Sequence, residues 1–144
     1  MYKSSVSNTS RVIFIAVILI IVATTLPVFF SNDFHALLIV TIINGITLLL
    51  LLWIIFRTNY TIDESYLICK SGPFKKKIKI QSISKISYHK GIIVPSFWKF
   101  SLNHYGLIIN YQKFEDVYIS PKDEIDFIAE LTQINPNIII VESK

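Results

Sequence analysis

Three histidines, one cysteine and ten carboxylates are the groups from which a catalytic or metal site would be built, and their spacing builds none. His89 and His104 stand fifteen residues apart, without helical pairing or the close ligand spacing of a zinc site, and His35 falls between two apolar runs. Cys69 has no second cysteine with which to form an intramolecular disulfide or a thiolate metal site, which suits a reducing compartment, and it reads as an apolar strand residue. Asp63-Glu64 reads as a turn, and Asp123, Glu124 and Asp126 as the start of a helix. The four glycines form no phosphate-cradling loop, and no serine sits in a nucleophile elbow. The expectation is a chain with no catalytic residue, metal or cofactor.

Lysine is the exception. Between Ser65 and Phe114 there are nine lysines and no aspartate or glutamate, whereas Glu115 to Lys144 holds seven acids against two lysines. Lys75, Lys76, Lys77 and Lys79 alternate with Ile78 and Ile80, as a strand with lysine outward and isoleucine inward would. Each lysine close to an anionic membrane surface contributes about 1 kcal/mol, so this run is a candidate lipid contact. Trp98, within Phe97-Trp98-Lys99-Phe100, joins it as an amphipathic ring suited to a membrane interface, with core packing as its alternative. No arginine follows Arg57. Forked recognition of phosphates is therefore disfavoured, which opposes a nucleic-acid role. What remains is weak electrostatic contact with anionic lipid, or a protein partner, for which the acidic helix face is free.

The elements that position these residues begin with two apolar runs. Mean hydropathy is +0.53, and the excess lies before Arg57. Val12 to Phe30 is nineteen residues without a charge and Ala36 to Phe56 is twenty-one. At about 1.5 Å per residue these reach roughly 28 and 31 Å, enough for a hydrocarbon core of about 30 Å. The five-residue connector Ser31 to His35 forces an antiparallel hairpin. Lys3 and Arg11 precede it and Arg57 follows it, while the connector carries only Asp33, so the positive-inside rule puts both termini in the cytoplasm of a multi-pass protein of the cell membrane. A cleaved signal peptide is the rival reading, but no small-x-small cleavage site interrupts the first run. Within the hairpin, Thr24 and Thr25 lie about one turn in depth from Asn44 and Gly45. Asn44 is expected to hydrogen-bond a threonine across the interface, and Gly45 to let the backbones approach.

Residues 1–57 thus read as the membrane hairpin and 58–144 as one small domain of alternating strands. Strand pairs are expected across Asp63-Glu64-Ser65, across Gly72-Pro73, and across Gln112 to Glu115, with an irregular stretch from Lys90 to Ser101. Ser120 as N-cap with Pro121 at the first helical position predicts a helix over 121–134, with Ile125, Ile128, Leu131 and Thr132 recurring at helical spacing and Phe127 and Ile134 widening the stripe. Asn135-Pro136 ends it, and Ile138 to Val141 run extended.

Tyr60-Thr61-Ile62 with Leu67-Ile68, the Gly72-Pro73 turn, Ile80, Ile83 and Ile86, Pro95-Ser96, Ser101 before Leu107-Ile108-Ile109, and Ile119-Ser120-Pro121-Lys122 with Phe127, Leu131 and Asn135-Pro136 resemble the short bacterial pleckstrin-homology (PH) family. The resemblance covers about Tyr60 to Ile138 and departs from the family at Leu102-Asn103-His104, where charged residues are expected. It implies a bent antiparallel sandwich capped by the helix, commonly beside one or two N-terminal membrane helices, and no catalytic residues. The fold class expected is therefore a membrane-anchored α+β protein: a two-helix transmembrane hairpin, then a PH-like β sandwich or barrel with one C-terminal helix. The function expected is a non-enzymatic binding module at the cytoplasmic face. The alternative is an accessory subunit whose hairpin binds a larger membrane complex.

Overall fold

The two apolar runs form helices α1 (Asn8–Phe30) and α2 (Phe34–Phe56), each of 23 residues. Both are longer than the charge-free stretches because polar caps extend them: the Ser7 hydroxyl accepts the Ser10 N–H at 3.1 Å, and the Asp33 carboxylate accepts the Ala36 N–H at 3.0 Å. At about 34 Å they are long enough to cross a hydrocarbon core, and no residue of either is buried by the rest of the chain. Such continuous apolar surface is not left in water. The computed structural model describes residues 1–31, 33–91 and 93–141, so Asn32 of the connector, and 142–144 with the last acid and lysine of the charge count, lie outside the described residues.

The remainder is a two-sheet sandwich. The chain opens with a two-residue strand, β1 (Tyr2–Lys3), and after α2 continues through β2 (Asn59–Asp63), β3 (Tyr66–Ser71) and β4 (Phe74–Lys79) to complete one sheet in the order β1-β2-β3-β4. A 3₁₀ turn at Ile80–Ser82 then bends it into β5 (Ile83–Lys90). The second sheet adds β6 (Trp98–Phe100), β7 (Tyr105–Tyr111), β8 (Glu115–Ile119) and, beyond helix α3 (Glu124–Ile134), β9 (Ile139–Val141), in the order β6-β8-β7-β5-β9. The two end strands β6 and β9 pair in parallel, with β8 and β5. Alternation supplies the core: Tyr60, Leu67, Ile78, Ile86, Leu107, Ile109, Val117 and Ile119 all point between the sheets, and Phe127 and Leu131 of α3 close it.

Two expectations about α3 are corrected. It starts at Glu124 rather than 121, with Asp123 at the cap position making no side-chain cap bond. Ser120 cannot cap it because its backbone is committed elsewhere: its N–H donates to the Tyr60 hydroxyl, and its carbonyl accepts from the Ser5 N–H at 2.7 Å. Ile125 is 80% exposed and lies off the buried stripe, which runs through Phe127, Ile128 and Leu131.

The first seven residues belong with the domain and not with the hairpin, although composition groups them with the latter. Tyr2 pairs with Tyr60 and Lys3 with Asn59; Ser4 bridges Pro121, and Val6 bridges Leu102. The Tyr2 hydroxyl donates to Glu130 on α3 at 2.6 Å, and this bond, with some desolvation, raises its pKa to about 12. The chain therefore leaves the sandwich at Ser7, runs through both helices and returns at Thr58, which roots both helix ends in the same domain.

Tyr60 ties these parts together. Burial pushes its pKa up to about 12, so its hydroxyl stays a donor, to the Phe100 carbonyl, while accepting the Ser120 N–H at 3.1 Å. Tyr60→Phe leaves that N–H and that carbonyl buried without a partner, at about 1–3 kcal/mol for such a loss. Thermal unfolding of the full chain in detergent should show a clearly lowered Tm, and an unchanged Tm would refute the assignment.

Candidate functional site

Strand β4 carries the lysine run, and its pairing sorts the lysines onto two faces. Lys75 stands opposite Lys70, Lys77 opposite Ile68 and Lys79 opposite Tyr66, all on the outer face of the first sheet. Lys76 stands opposite Cys69 and faces inward with Leu67 and Ile78. The period of two puts it on the isoleucine side, so it leaves the group of four in which the sequence places it. Its ammonium lies 3.2 Å from Glu115, 5.1 Å from the centre of the Trp98 ring and 5.8 Å from that of Tyr111. The Tyr111 hydroxyl and then Lys76 hold the Glu115 carboxyl below its ordinary pKa. This cluster ties β4, an end strand of the first sheet, to the β6 and β8 side of the second, which makes Lys76 a closure of the sandwich.

The outer lysines are arranged differently. Lys76–Glu115 is the only ion pair among the described residues, so Lys70, Lys75, Lys77 and Lys79 have no carboxylate at 4 Å or less. Lys77 lies over the Tyr66 ring at 3.8 Å. Lys70 and Lys75 are direct cross-strand neighbours, a like-charge pairing that costs stability unless an anion offsets it. Cys69, on the inner face, is fully buried, and desolvation raises its thiol to about 12. That makes it inert.

The position of this face relative to the helices is fixed by the β3–β4 turn. Gly72 has φ +54°, and a Cβ there would come within 2.9 Å of Ile54 Cγ1, so the turn is seated directly on the last turns of α2. Thr58 supports the contact: its hydroxyl donates to the Ile54 carbonyl at 2.6 Å and shares a hydrogen bond of 2.9 Å with Ser71. Asn59 pairs with Lys70 and Lys70 with Lys75, so both lysines stand beside the chain's exit from α2. Asp63 pairs with Tyr66 and Tyr66 with Lys79, so Lys79 is at the far end, about 13 Å along the strand from Lys75.

At the same near end, a cleft of about 520 Å³ opens between Ile54 and the stretch Ser96 to Ser101. Trp98 is exposed there, stacked on Phe100 at 16° between ring planes, with Phe97 edge-on to it. Phe97 is 87% exposed and Phe74 54%. Of these, Trp98 stands in the sequence-derived set, whereas Phe74, Phe97, Lys99 and Phe100 are site residues that the set lacks. The signal was present in the Phe-Trp-Lys-Phe run, but nothing in it says that the run faces α2.

Within the hairpin, the Asn44 amide donates to Thr25 Oγ1 at 2.9 Å, and lies 3.3 Å from Thr24 Oγ1 and 3.5 Å from the Ile21 carbonyl. Gly45 does not serve close approach: a Cβ there would meet nothing within 4 Å, because one residue on from Asn44 the helix has turned away from its partner. Asn44→Leu should therefore destabilise the hairpin by about 0.6–2 kcal/mol in detergent melting, whereas Gly45→Ala should leave it unchanged or slightly firmer. Equal effects of the two substitutions would contradict this geometry.

Among the described residues no three histidine, cysteine or carboxylate side chains group as a metal site. A family model described as "Bacterial PH domain" matches residues 58–135, and a second with the same description matches residues 11–94. No curated protein and no solved structure matches the chain.

Proposed function

Because the chain belongs to the bacterial PH domain family, we propose that it is a non-enzymatic binding module, held at the cytoplasmic face of the cell membrane by its helical hairpin. In this reading it makes weak electrostatic contact with anionic lipid. The observation that carries the reading is the seating of the Gly72 turn on Ile54, three residues before Arg57. If α2 spans the membrane, Ile54 lies where hydrocarbon gives way to headgroups, and Lys70 and Lys75 face the leaflet surface at close range. Lys3, Arg11 and Arg57 at this end, against Asp33 at the connector, favour the cytoplasmic side.

Distance then grades the lysines. With a screening length of about 8 Å at physiological salt, Lys75 feels the surface potential far more than Lys79 does. Lys77 lies between them. Lys76, already paired with Glu115, contributes little, and Trp98 acts beside the lysines as an interfacial ring. Tethering makes even a weak affinity sufficient to orient the domain.

A second reading rests on the helices. Neither is covered by the chain, and a groove of about 410 Å³ along Ile21, Val22, Thr25, Leu26 and Phe29 is open to a further transmembrane helix. In that reading the protein is an accessory subunit of a membrane complex, with a protein partner on the hairpin.

An environment-sensitive fluorophore on Lys75→Cys or Lys79→Cys, in the full chain in nanodiscs, separates the two readings. The inert Cys69 thiol leaves labelling selective. The position-75 signal should shift on replacing neutral with anionic lipid, revert in high salt, and exceed the position-79 shift. Lipid-independent or salt-independent signals at both positions would refute the lipid reading.

A further inference from the structure

We infer that the cleft between the end of α2 and β6 seats the phosphate-bearing headgroup of a single anionic phospholipid drawn from the surrounding leaflet. The inference rests on the reading that the helices span a membrane, but not on the lysine face of β4. One wall is Ile54, which on that reading lies where hydrocarbon gives way to headgroups; the opposite wall belongs to the sandwich. Only a molecule with an apolar and a polar end fits both. Phe74, Phe97 and Trp98 offer apolar ring surface to the glycerol and upper acyl region, and the cleft's volume of about 520 Å³ is within the usual range of small-ligand sites, about 300–1,000 Å³.

The polar end is specified by charge. Among the described residues, Lys99 is the one ionisable group lining the cleft, no carboxylate lines it, and none pairs with Lys99. Two backbone acceptors that would repel a phosphate are already in use, since the Ser96 hydroxyl donates to the Trp98 carbonyl and the Tyr60 hydroxyl to that of Phe100. The Ser71, Ser96 and Ser101 hydroxyls already donate, to Thr58, to the Trp98 carbonyl, and to the Asn103 carbonyl or Ser120, so the ammonium of Lys99 is what the cleft offers a phosphate. Lys99 also borders a smaller cleft of about 180 Å³ beside Thr9, Ser10 and Ile13 at the start of α1. It thus stands between the two points where helices join the domain, on the edge turned toward the membrane. Among the described residues β6 is hydrogen-bonded to β8 alone, and no further strand occupies its other edge.

The test is native mass spectrometry of the full chain released from nanodiscs containing phosphatidylglycerol and phosphatidylcholine in equal amounts. The expected result is one retained phosphatidylglycerol per chain, saturating at one. Lys99→Glu should reduce the retained fraction about tenfold or more, and Lys99→Gln less. A Tm equal to wild type for Lys99→Gln verifies that the fold is intact. Equal retention of phosphatidylcholine, retention indifferent to Lys99→Glu, or no retained lipid would overturn the inference. Displacement by glycerol phosphate as readily as by phosphatidylglycerol would also overturn it, since the source would then be a soluble phosphate. Absent retention beside a salt-sensitive signal at position 75 would sink this site alone; retention without that signal would sink the lysine-face reading alone.

Discussion

Pairing of Tyr2 and Lys3 with Tyr60 and Asn59 places the entry to α1 and the exit from α2 on neighbouring strands. Few hydrogen bonds are involved, yet the rest of the architecture follows from them. A helix hairpin attached through one flexible link would leave its domain free to swivel. Attached at both ends, through Ser4, Ser5 and Ser7 on one side and Thr58 on the other, it presents one edge of the sandwich to the helices. Tyr60, buried under this junction, joins β2 to β6 and to the end of β8, so anchor and core are built from the same residues.

Charge is distributed in accordance with that fixed orientation. The lysine on the inner face, Lys76, is paired with Glu115 and lies against the Trp98 and Tyr111 rings. Lys70, Lys75, Lys77 and Lys79, with no carboxylate partner among the described residues, lie on one open sheet face, densest where Lys70 meets Lys75 near α2. Exposed rings, Phe74 and Phe97, gather at that same end. A sandwich stabilised for water alone gains nothing from placing unpaired lysines and bare aromatic rings together. At a boundary between hydrocarbon and anionic headgroups, both are favourable.

The sequence makes the parts with strong periodicity legible. Uninterrupted apolar runs locate both helices, and counting rise per residue brings Asn44 within about one turn of Thr24 and Thr25, because depth in a helix is linear in residue number. Alternation locates β2 to β5, β7 and β8. It fails where a decision depends on a distant partner. Tyr2-Lys3 is too short to show a period, and its strand exists only because β2 has an open edge. Ser120-Pro121 has the chemistry of a helix start, but Tyr60 and Ser5 hold its backbone extended. Lys76 differs from its neighbours only in parity, which the run of lysines hides. Trp98 and Lys99 stand out as residue types, yet the cleft they form with Ile54 is a product of the domain's seating on α2.

That seating is the central claim, and the depth of Trp98 measures it. In the full chain carrying Trp53→Phe, reconstituted in bilayers with bromine placed either near the headgroups or deep in the acyl chains, Trp98 fluorescence should be quenched strongly by the shallow bromines and weakly by the deep ones. Gly72→Glu, which drives the β3–β4 turn off Ile54, should reduce the shallow quenching. Trp98 emission indifferent to bromine at either depth would show that the domain stands clear of the membrane, and the account would be wrong.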